Sequence, residues 1–133
     1  MRKNLPVNDI ETLVQDDQYL ISKTDLKGRI TYCNPAFVEL SGFTREELIG
    51  KPHNIIRHPD MPELAFQDLW ESVQNRKPWT GLVKNRRKDG GFYWVLANVT
   101  PIFQGNEVTG YASVRFKADS ESIAKAEALY RQI

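Results

Sequence analysis

The sequence has little with which to build disulfides, metal clusters or membrane spans. Its 133 residues include a single cysteine, Cys33, which excludes an intrachain disulfide and a zinc site made of several cysteines. No apolar run approaches the roughly 18 residues that a membrane helix needs, and the polar N-terminus lacks a signal-peptide core. With 18 basic and 17 acidic residues, the chain also lacks a net field for gripping nucleic acid or an anionic membrane. We therefore expect a cytoplasmic domain with no nucleic-acid partner and no direct membrane contact.

Catalytic signatures are missing as well. The chain has no plausible Ser-His-Asp constellation, no glycine-rich phosphate loop and no paired-carboxylate motif in a defined context. Its two histidines, His53 and His58, lie in a proline-broken segment rather than on a helix as a zinc-binding HExxH pattern would require. We therefore do not expect an enzyme.

What is present is the pattern of one α+β domain, for which the length is typical. Two strand-like runs come first, and Pro35 then opens a short helix that Gly42 ends. Thr44 and Glu47 have the spacing of a capping box, which predicts a second short helix. Residues 52–62 carry three prolines and are predicted to be irregular or a single helical turn.

A longer helix and three strands complete the pattern. Asp60 and Glu63 again have capping-box spacing, and they precede apolar residues on one helical face, namely Phe66, Leu69, Trp70 and Val73. The three strands are predicted at Trp79–Arg87, Gly91–Phe103 and Val108–Lys117. This order predicts a five-stranded antiparallel sheet with helices packed on one face, enclosing a ligand pocket. Small residues at Ala97, Gly110 and Ala112 are expected to leave room over the sheet for a flat ligand.

Residues 118–133 form a separate segment with a helical pattern. Asp119 or Ser120 can cap this helix. Its apolar residues at heptad spacing are Ile123, Ala126, Tyr130 and Ile133. Its i,i+4 ion pairs are Glu121 with Lys125 and Glu127 with Arg131. The segment is either a connector into a longer signalling helix or a helix folded back on its own domain.

Four motifs, taken together with the order of elements, carry a family resemblance. They are Asp25–Ile30, Asn34–Phe37, Ser41–Gly50 and Lys88–Gly90. In this order and at these separations they resemble the PAS sensory-domain family over residues 19–117. The division expected is an N-terminal cap at 1–18, the PAS domain at 19–117 and a C-terminal connector helix at 118–133.

A more specific likeness lies in residues 52–62, followed by Trp79 and by residues 84–88. These stretches are similar to the N-terminal sensing domain of bacterial aerotaxis receptors, which holds FAD non-covalently. The resemblance implies a flavin-based redox or oxygen sensor that reports to a downstream signalling domain of the same receptor. It also implies that the parent protein can be anchored at the inner membrane and that the domain could form a homodimer.

Eight residues are candidate cofactor ligands: Asn34, His53, Arg57, His58, Asp60, Trp70, Trp79 and Asn85. Strand alternation points Asn85 inward if Val83 marks the core side, and a buried carboxamide needs polar partners such as a flavin edge. Arg57 suits bidentate contact with phosphate, with His58 as a further donor and Asp60 as an orienting group. Seven of the eight have a plainer alternative. Asn34 and Asp60 could be helix caps, and Asn85 could be bonded to the neighbouring backbone. Arg57 and His58 could be a solvated loop pair, and the two tryptophans could belong to the core.

Three other functions stay open. Light-sensing LOV domains form a flavin adduct with a cysteine, but His53 stands at that place here, and Ala112 stands where a LOV glutamine is expected. A haem sensor could use His53 or His58 as the iron ligand. A cofactor-free PAS module would instead serve dimerisation or partner binding, through the C-terminal heptad seam.

Overall fold

The computed structural model describes residues 4–133, which contain five strands and four α-helices. The strands are β1 (Leu20–Thr24), β2 (Ile30–Cys33), β3 (Trp79–Arg86), β4 (Phe92–Gln104) and β5 (Glu107–Lys117). The helices are α1 (Pro35–Ser41), α2 (Arg45–Leu48), α3 (Glu63–Gln74) and α4 (Ser120–Arg131), with a 3-10 turn at His53–Ile56. The strands form one antiparallel sheet in the order β2-β1-β5-β4-β3. The predicted α+β fold and sheet are confirmed.

Local sequence signals explain how the short helices begin and end. Asn34 caps α1 through its side-chain oxygen, and Gly42 ends it in the left-handed conformation at φ 76°. The capping box of α2 is complete, since Thr44 Oγ1 accepts from the Glu47 N–H at 3.1 Å and Glu47 Oε1 accepts from the Thr44 N–H at 2.9 Å. These predictions are confirmed.

The predicted cap of α3 is wrong. The N-cap residue is Pro62, which provides no side-chain hydrogen bond in the described chain, and Asp60 instead binds Lys84 Nζ at 2.9 Å. Capping-box spacing was present, but the prolines on either side of Asp60 move the first helical turn beyond its reach. Asp60 therefore tethers the loop to β3.

The N-terminal segment packs against its own domain from Asn4 onward. Asn4 is buried and its Nδ2 donates to the carbonyls of Asn54 and Arg57, both at 2.8 Å. Further along, Thr12 N–H donates to the Phe92 carbonyl at 2.8 Å. The segment thus joins the 3-10 turn to the beginning of β4. Residues 1–3 of the predicted cap lie outside the described residues.

Helix α4 folds back onto the sheet. Asp119 caps it, and Tyr130 Oη donates to the carbonyl of Leu82 at 2.7 Å. The Tyr130 ring also stacks on Trp94, with 6.5 Å between centroids. Strand register places Trp94 on the face opposite Tyr93 and Val95, so α4 covers the outer side of the sheet. Among residues 4–133, no helix has the length and apolar character of a membrane span.

We expect Asn34→Ala to lower the free energy of unfolding by about 2 kcal/mol, because the helix cap and the side-chain hydrogen bonds to the main chain of β1 and the residue before it are both lost. Asn34 Oδ1 accepts from the N–H groups of Ile21 and Phe37, each at 3.0 Å, and its Nδ2 donates to the Tyr19 carbonyl at 2.8 Å. Urea denaturation measures the change. Asn106→Ala, in an exposed turn, is the matched control. Equal stability of the two variants would contradict the structural role of Asn34.

Candidate functional site

A cavity of about 850 Å³ lies between the inner face of the sheet and the layer formed by α3 and the 3-10 turn. This volume falls in the upper part of the range for small-molecule sites, roughly 300 to 1,000 Å³. The sheet contributes Val83, Asn85, Ala97, Val99, Tyr111, Ser113 and Arg115 to its wall. The cavity can therefore take an organic ligand of cofactor size.

Helix α3 supplies the opposite, mostly apolar wall. Phe66, Leu69, Trp70 and Val73 all line the cavity, and of these only Val73 is fully buried. Trp70 meets Tyr111 edge to face with 5.4 Å between ring centroids. The apolar face that the sequence predicts thus borders the cavity instead of filling it. Its aromatic and aliphatic groups suit a flat ring.

Polar atoms without partners are concentrated around this cavity. Among residues 4–133, the buried atoms with no hydrogen-bond partner are Thr24 Oγ1, Arg57 Nε, Asn85 Nδ2, Tyr93 Oη and Ser113 Oγ. Four of these five residues line the cavity wall. A buried donor or acceptor left without a partner costs about 1 to 3 kcal/mol, so the site favours a ligand with a polar edge.

Asn85 and Arg57 are brought together by the backbone. The two residues form an antiparallel bridge between the loop and the free edge of β3, and both line the cavity. The Arg57 guanidinium carbon lies 3.8 Å from the centroid of the Phe66 ring. Burial lowers the pKa of Arg57, and the nearby Glu63 carboxylate acts in the opposite direction. Arg57 therefore presents a cation beside the Asn85 amide.

A second cation lies deeper in the wall. Arg115 is only 4% exposed, and it donates from Nη1 to Ser22 Oγ at 3.1 Å and from Nη2 to His53 Nε2 at 2.7 Å. Its guanidinium also lies 5.1 Å from the centroid of the Phe37 ring. Burial lowers the pKa of Arg115 to about 10, a value at which it keeps its charge at neutral pH.

His53 completes this cluster as a neutral acceptor. Burial, with a further contribution from the Arg115 charge, lowers the pKa of His53 to about 3. Because Arg115 can only donate, Nε2 carries the lone pair and the ring proton is assigned to Nδ1. His53 therefore lines the cavity as a group that holds Arg115 in place.

His58 and Asp60 lie outside the cavity wall. His58 is 2% exposed, and its Nδ1 accepts from the Asp60 N–H at 3.0 Å. Burial and the Lys84 charge lower the pKa of His58 to about 4. The hydrogen bond from Lys84 lowers the pKa of Asp60, whose side chain is 68% exposed. This pair fixes the loop that carries Arg57.

Asn34 and Trp79 also lie away from the cavity wall. Asn34 has its hydrogen-bonding capacity taken up by α1 and β1. Trp79 Nε1 donates to Asp68 Oδ2 at 2.8 Å, and its ring covers Gly81 so closely that a Cβ there would lie 2.4 Å from Cη2. Of the eight candidates, the cavity wall includes His53, Arg57, Trp70 and Asn85.

The expectation for β5 is corrected by the register. Tyr111, Ser113 and Arg115 pair with Pro101, Val99 and Ala97, so the polar phase of β5 faces inward with the inner side chains of β4. Gly110 and Ala112 belong to the other phase, although Ala112 borders the cavity together with its two neighbours. Gly110 is small for another reason, since a Cβ there would lie 2.1 Å from the Thr24 carbonyl oxygen. Residues missed by the sequence reasoning are Ser22, Thr24, Tyr111, Ser113 and Arg115.

The geometry also bears on the adduct and haem alternatives. Cys33 is 1% exposed within the hydrophobic core, and burial raises the pKa of its thiol. Adduct chemistry is therefore opposed both by the position of this thiol and by its protonated state. For haem, His53 would have to give up the contacts of Nε2 with Arg115 and Ser22.

Comparison with known proteins gives consistent results. The family model described as PAS fold matches residues 30–115. The chain is 47% identical over 127 residues to the aerotaxis receptor of Escherichia coli (strain K12), covering 96% of this chain and 25% of the receptor. It thus spans about a quarter of that relative.

Solved structures show the same fold. A PAS domain from Colwellia psychrerythraea has a TM-score of 0.69 at 29% identity, over 75% of this chain and 86% of that one. A Light-Oxygen-Voltage domain studied with a flavin analogue has a TM-score of 0.72 at 20% identity, over 86% of this chain and 87% of that one.

The two histidines predict a loss of stability in mild acid. Their pKa values are lowered in the folded state, to about 3 and about 4, so the unfolded state binds more protons below the ordinary value of 6.5. We expect the free energy of unfolding to fall by about 1 to 2 kcal/mol per histidine between about pH 6.5 and pH 5. Urea denaturation across this range measures the slope, which His58→Gln should roughly halve. An unchanged slope in the variant would show that His58 protonates readily in the folded protein.

Proposed function

The chain belongs to the PAS-fold family, and we propose that this sensor domain binds FAD in its cavity and reports redox state, and thereby oxygen, to a downstream signalling domain. The main support is the cavity itself, which combines an apolar α3 wall with the partnerless amide of Asn85 in residues 4–133. The likeness to an aerotaxis receptor supports the signalling role.

The residues present fit such a group. Asn85 can both donate to and accept from the uracil-like edge of a flavin, which would satisfy its Nδ2. Trp70 and the other α3 side chains would exclude water from the ring faces, and Arg57 would bind the diphosphate. When bound, a flavin supplies one-electron and two-electron redox chemistry.

Strand β3 offers a route from the cavity to the outer face. Asn85 lines the cavity, and Leu82, three residues earlier on the same strand, accepts the hydrogen bond from Tyr130 on α4. A change in the contacts made by Asn85 would shift β3 and alter the docking of α4. The signal cannot exceed the difference in ligand interactions between the two protein states.

The proposed organisation follows from these roles. Residues 1–18 act as a cap, residues 19–117 as the sensory domain and residues 118–133 as the connector to the signalling region. The domain is proposed to work in the cytoplasm, within a receptor that can be anchored at the inner membrane and can pair as a homodimer.

The purified protein is expected to show the two absorption bands of an oxidised flavin and to release FAD on denaturation, as chromatography can establish. Asn85→Ala should raise the dissociation constant of FAD at least about tenfold and so lower its occupancy in the purified protein, since a hydrogen-bonding partner in a buried site is lost. Asn98→Ala is the matched control, because Asn98 is a strand asparagine on the opposite sheet face, where it accepts from Thr80 Oγ1 at 2.7 Å.

Other spectra would overturn the proposal in distinct ways. A Soret band would indicate a haem sensor, and a protein that stays colourless after refolding with excess FAD would indicate a cofactor-free interaction module. Full FAD occupancy in Asn85→Ala would remove this residue from the site while leaving the flavin in place.

Docking of α4 can be tested by Tyr130→Phe. Loss of a hydrogen bond worth about 1 kcal/mol should speed amide exchange in Ser120–Arg131 about fivefold. Tyr32→Phe is the control, since Tyr32 is 39% exposed on β2. Hydrogen-exchange mass spectrometry that finds the same protection of α4 in Tyr130→Phe and in the wild type would contradict a role for this bond in docking.

A further inference from the structure

Arg115 is a buried cation for which the described chain provides no anion. Its two hydrogen-bond acceptors, Ser22 Oγ and His53 Nε2, are both neutral, and no carboxylate in residues 4–133 lies within 4.0 Å of its guanidinium. By contrast, exposed Arg29 and half-buried Arg87 each have an aspartate partner, at 2.7 Å and 3.0 Å. The most buried arginine is therefore one whose charge no carboxylate compensates within the described chain.

Burying a charge without a counter-ion is costly, and the surroundings of Arg115 offset only part of that cost. The Phe37 ring lies 5.1 Å from the guanidinium and contributes a cation–π attraction. Arg115 also lines the cavity, together with Ser113, the next inward residue of β5. The positive charge of Arg115 is therefore available to a ligand in the cavity. A ligand that gains negative charge here would be stabilised.

The cationic side chains differ in exposure around the cavity. Lys27 is exposed, Arg57 is half-buried, and Arg115 is almost fully buried. A diphosphate would keep its hydration best at the exposed side of the cavity, which leaves the ring end of the ligand to the buried side, where Arg115 lies. Asn85 pairs with Tyr93 and Arg115 pairs with Ala97, and Tyr93 and Ala97 lie on one face of β4. Arg115 and Asn85 therefore both project from the inner face of the sheet into the cavity.

We propose that Arg115, held by Ser22 and His53, is the counter-ion for the negative charge that the ring end of the ligand gains on reduction, and that it thereby raises the reduction potential. This inference rests on the proposed binding of FAD. An external reductant such as dithionite supplies the electron, the flavin ring accepts it, and no bond in the protein forms or breaks. Ser22 and His53 are positioning residues, because they act by fixing the guanidinium.

Removing the charge should weaken the binding of reduced FAD more than that of oxidised FAD. Arg115→Gln is expected to reduce the preference for the reduced form about tenfold, which lowers a one-electron potential by about 59 mV. Arg115→Lys keeps the charge and should retain most of the wild-type potential. Ser22→Asp, which puts a carboxylate next to the intact guanidinium, should also lower the potential.

The experiment is a dithionite titration of the full chain against a dye of known potential, with Arg45→Gln on exposed α2 as the charge-removal control. An Arg115→Gln or Ser22→Asp protein that holds FAD at the wild-type potential overturns the inference and leaves the proposed function standing. A wild-type protein that takes up no FAD overturns both. A lowered potential in the two variants, with Arg45→Gln unchanged, supports the inference.

Discussion

The site depends on which alternate side chains of β5 face inward, that is, on the phase of this strand. This strand pairs with β1 on one side and β4 on the other, so a single register decides which of its side chains face α3. A shift of one residue would move every side chain to the opposite face. The observed phase directs the side chains of Tyr111, Ser113 and Arg115 into the cavity and places Gly110 in the opposite phase. The chemistry of the wall follows from this pairing more than from any single residue.

Most of the fold could be predicted from sequence because its signals are local. Pro35, Gly42 and the Thr44–Glu47 capping box each act within one helical turn, and all were correctly interpreted. The α3 apolar face and the inward Asn85 also followed from simple periodicity. The exception is Asp60, which has the spacing of a helix cap but does not cap α3, because the neighbouring prolines start the helix at a later residue. Its side chain binds Lys84, which is 24 residues away in the sequence.

The site was only partly predictable, since the unpredicted part depends on pairing between distant segments. Alternation along β5 allowed two phases, and the small residues favoured the wrong one because Gly110 serves a close approach to β1. Arg115 had no marker in its own neighbourhood, and its partners Ser22 and His53 come from β1 and the 3-10 turn. The loop from Arg57 to Asp60 was identified as a unit, yet His58 and Asp60 shape the backbone while Arg57 reaches the cavity.

Both edges of the sheet are partly covered by other parts of the chain. On β3, the Leu82 carbonyl accepts from Tyr130, the Lys84 N–H meets Met61 Sδ at 3.4 Å, and Asn85 bridges to Arg57. At the opposite edge, Ile30 on β2 exchanges hydrogen bonds with Lys51 and Gly50. Such covering shortens the free strand edge through which sheets merge and aggregate. Another molecule that associates with this domain therefore finds little main-chain edge to pair with, and the side chains of the sheet face are the larger surface open to it.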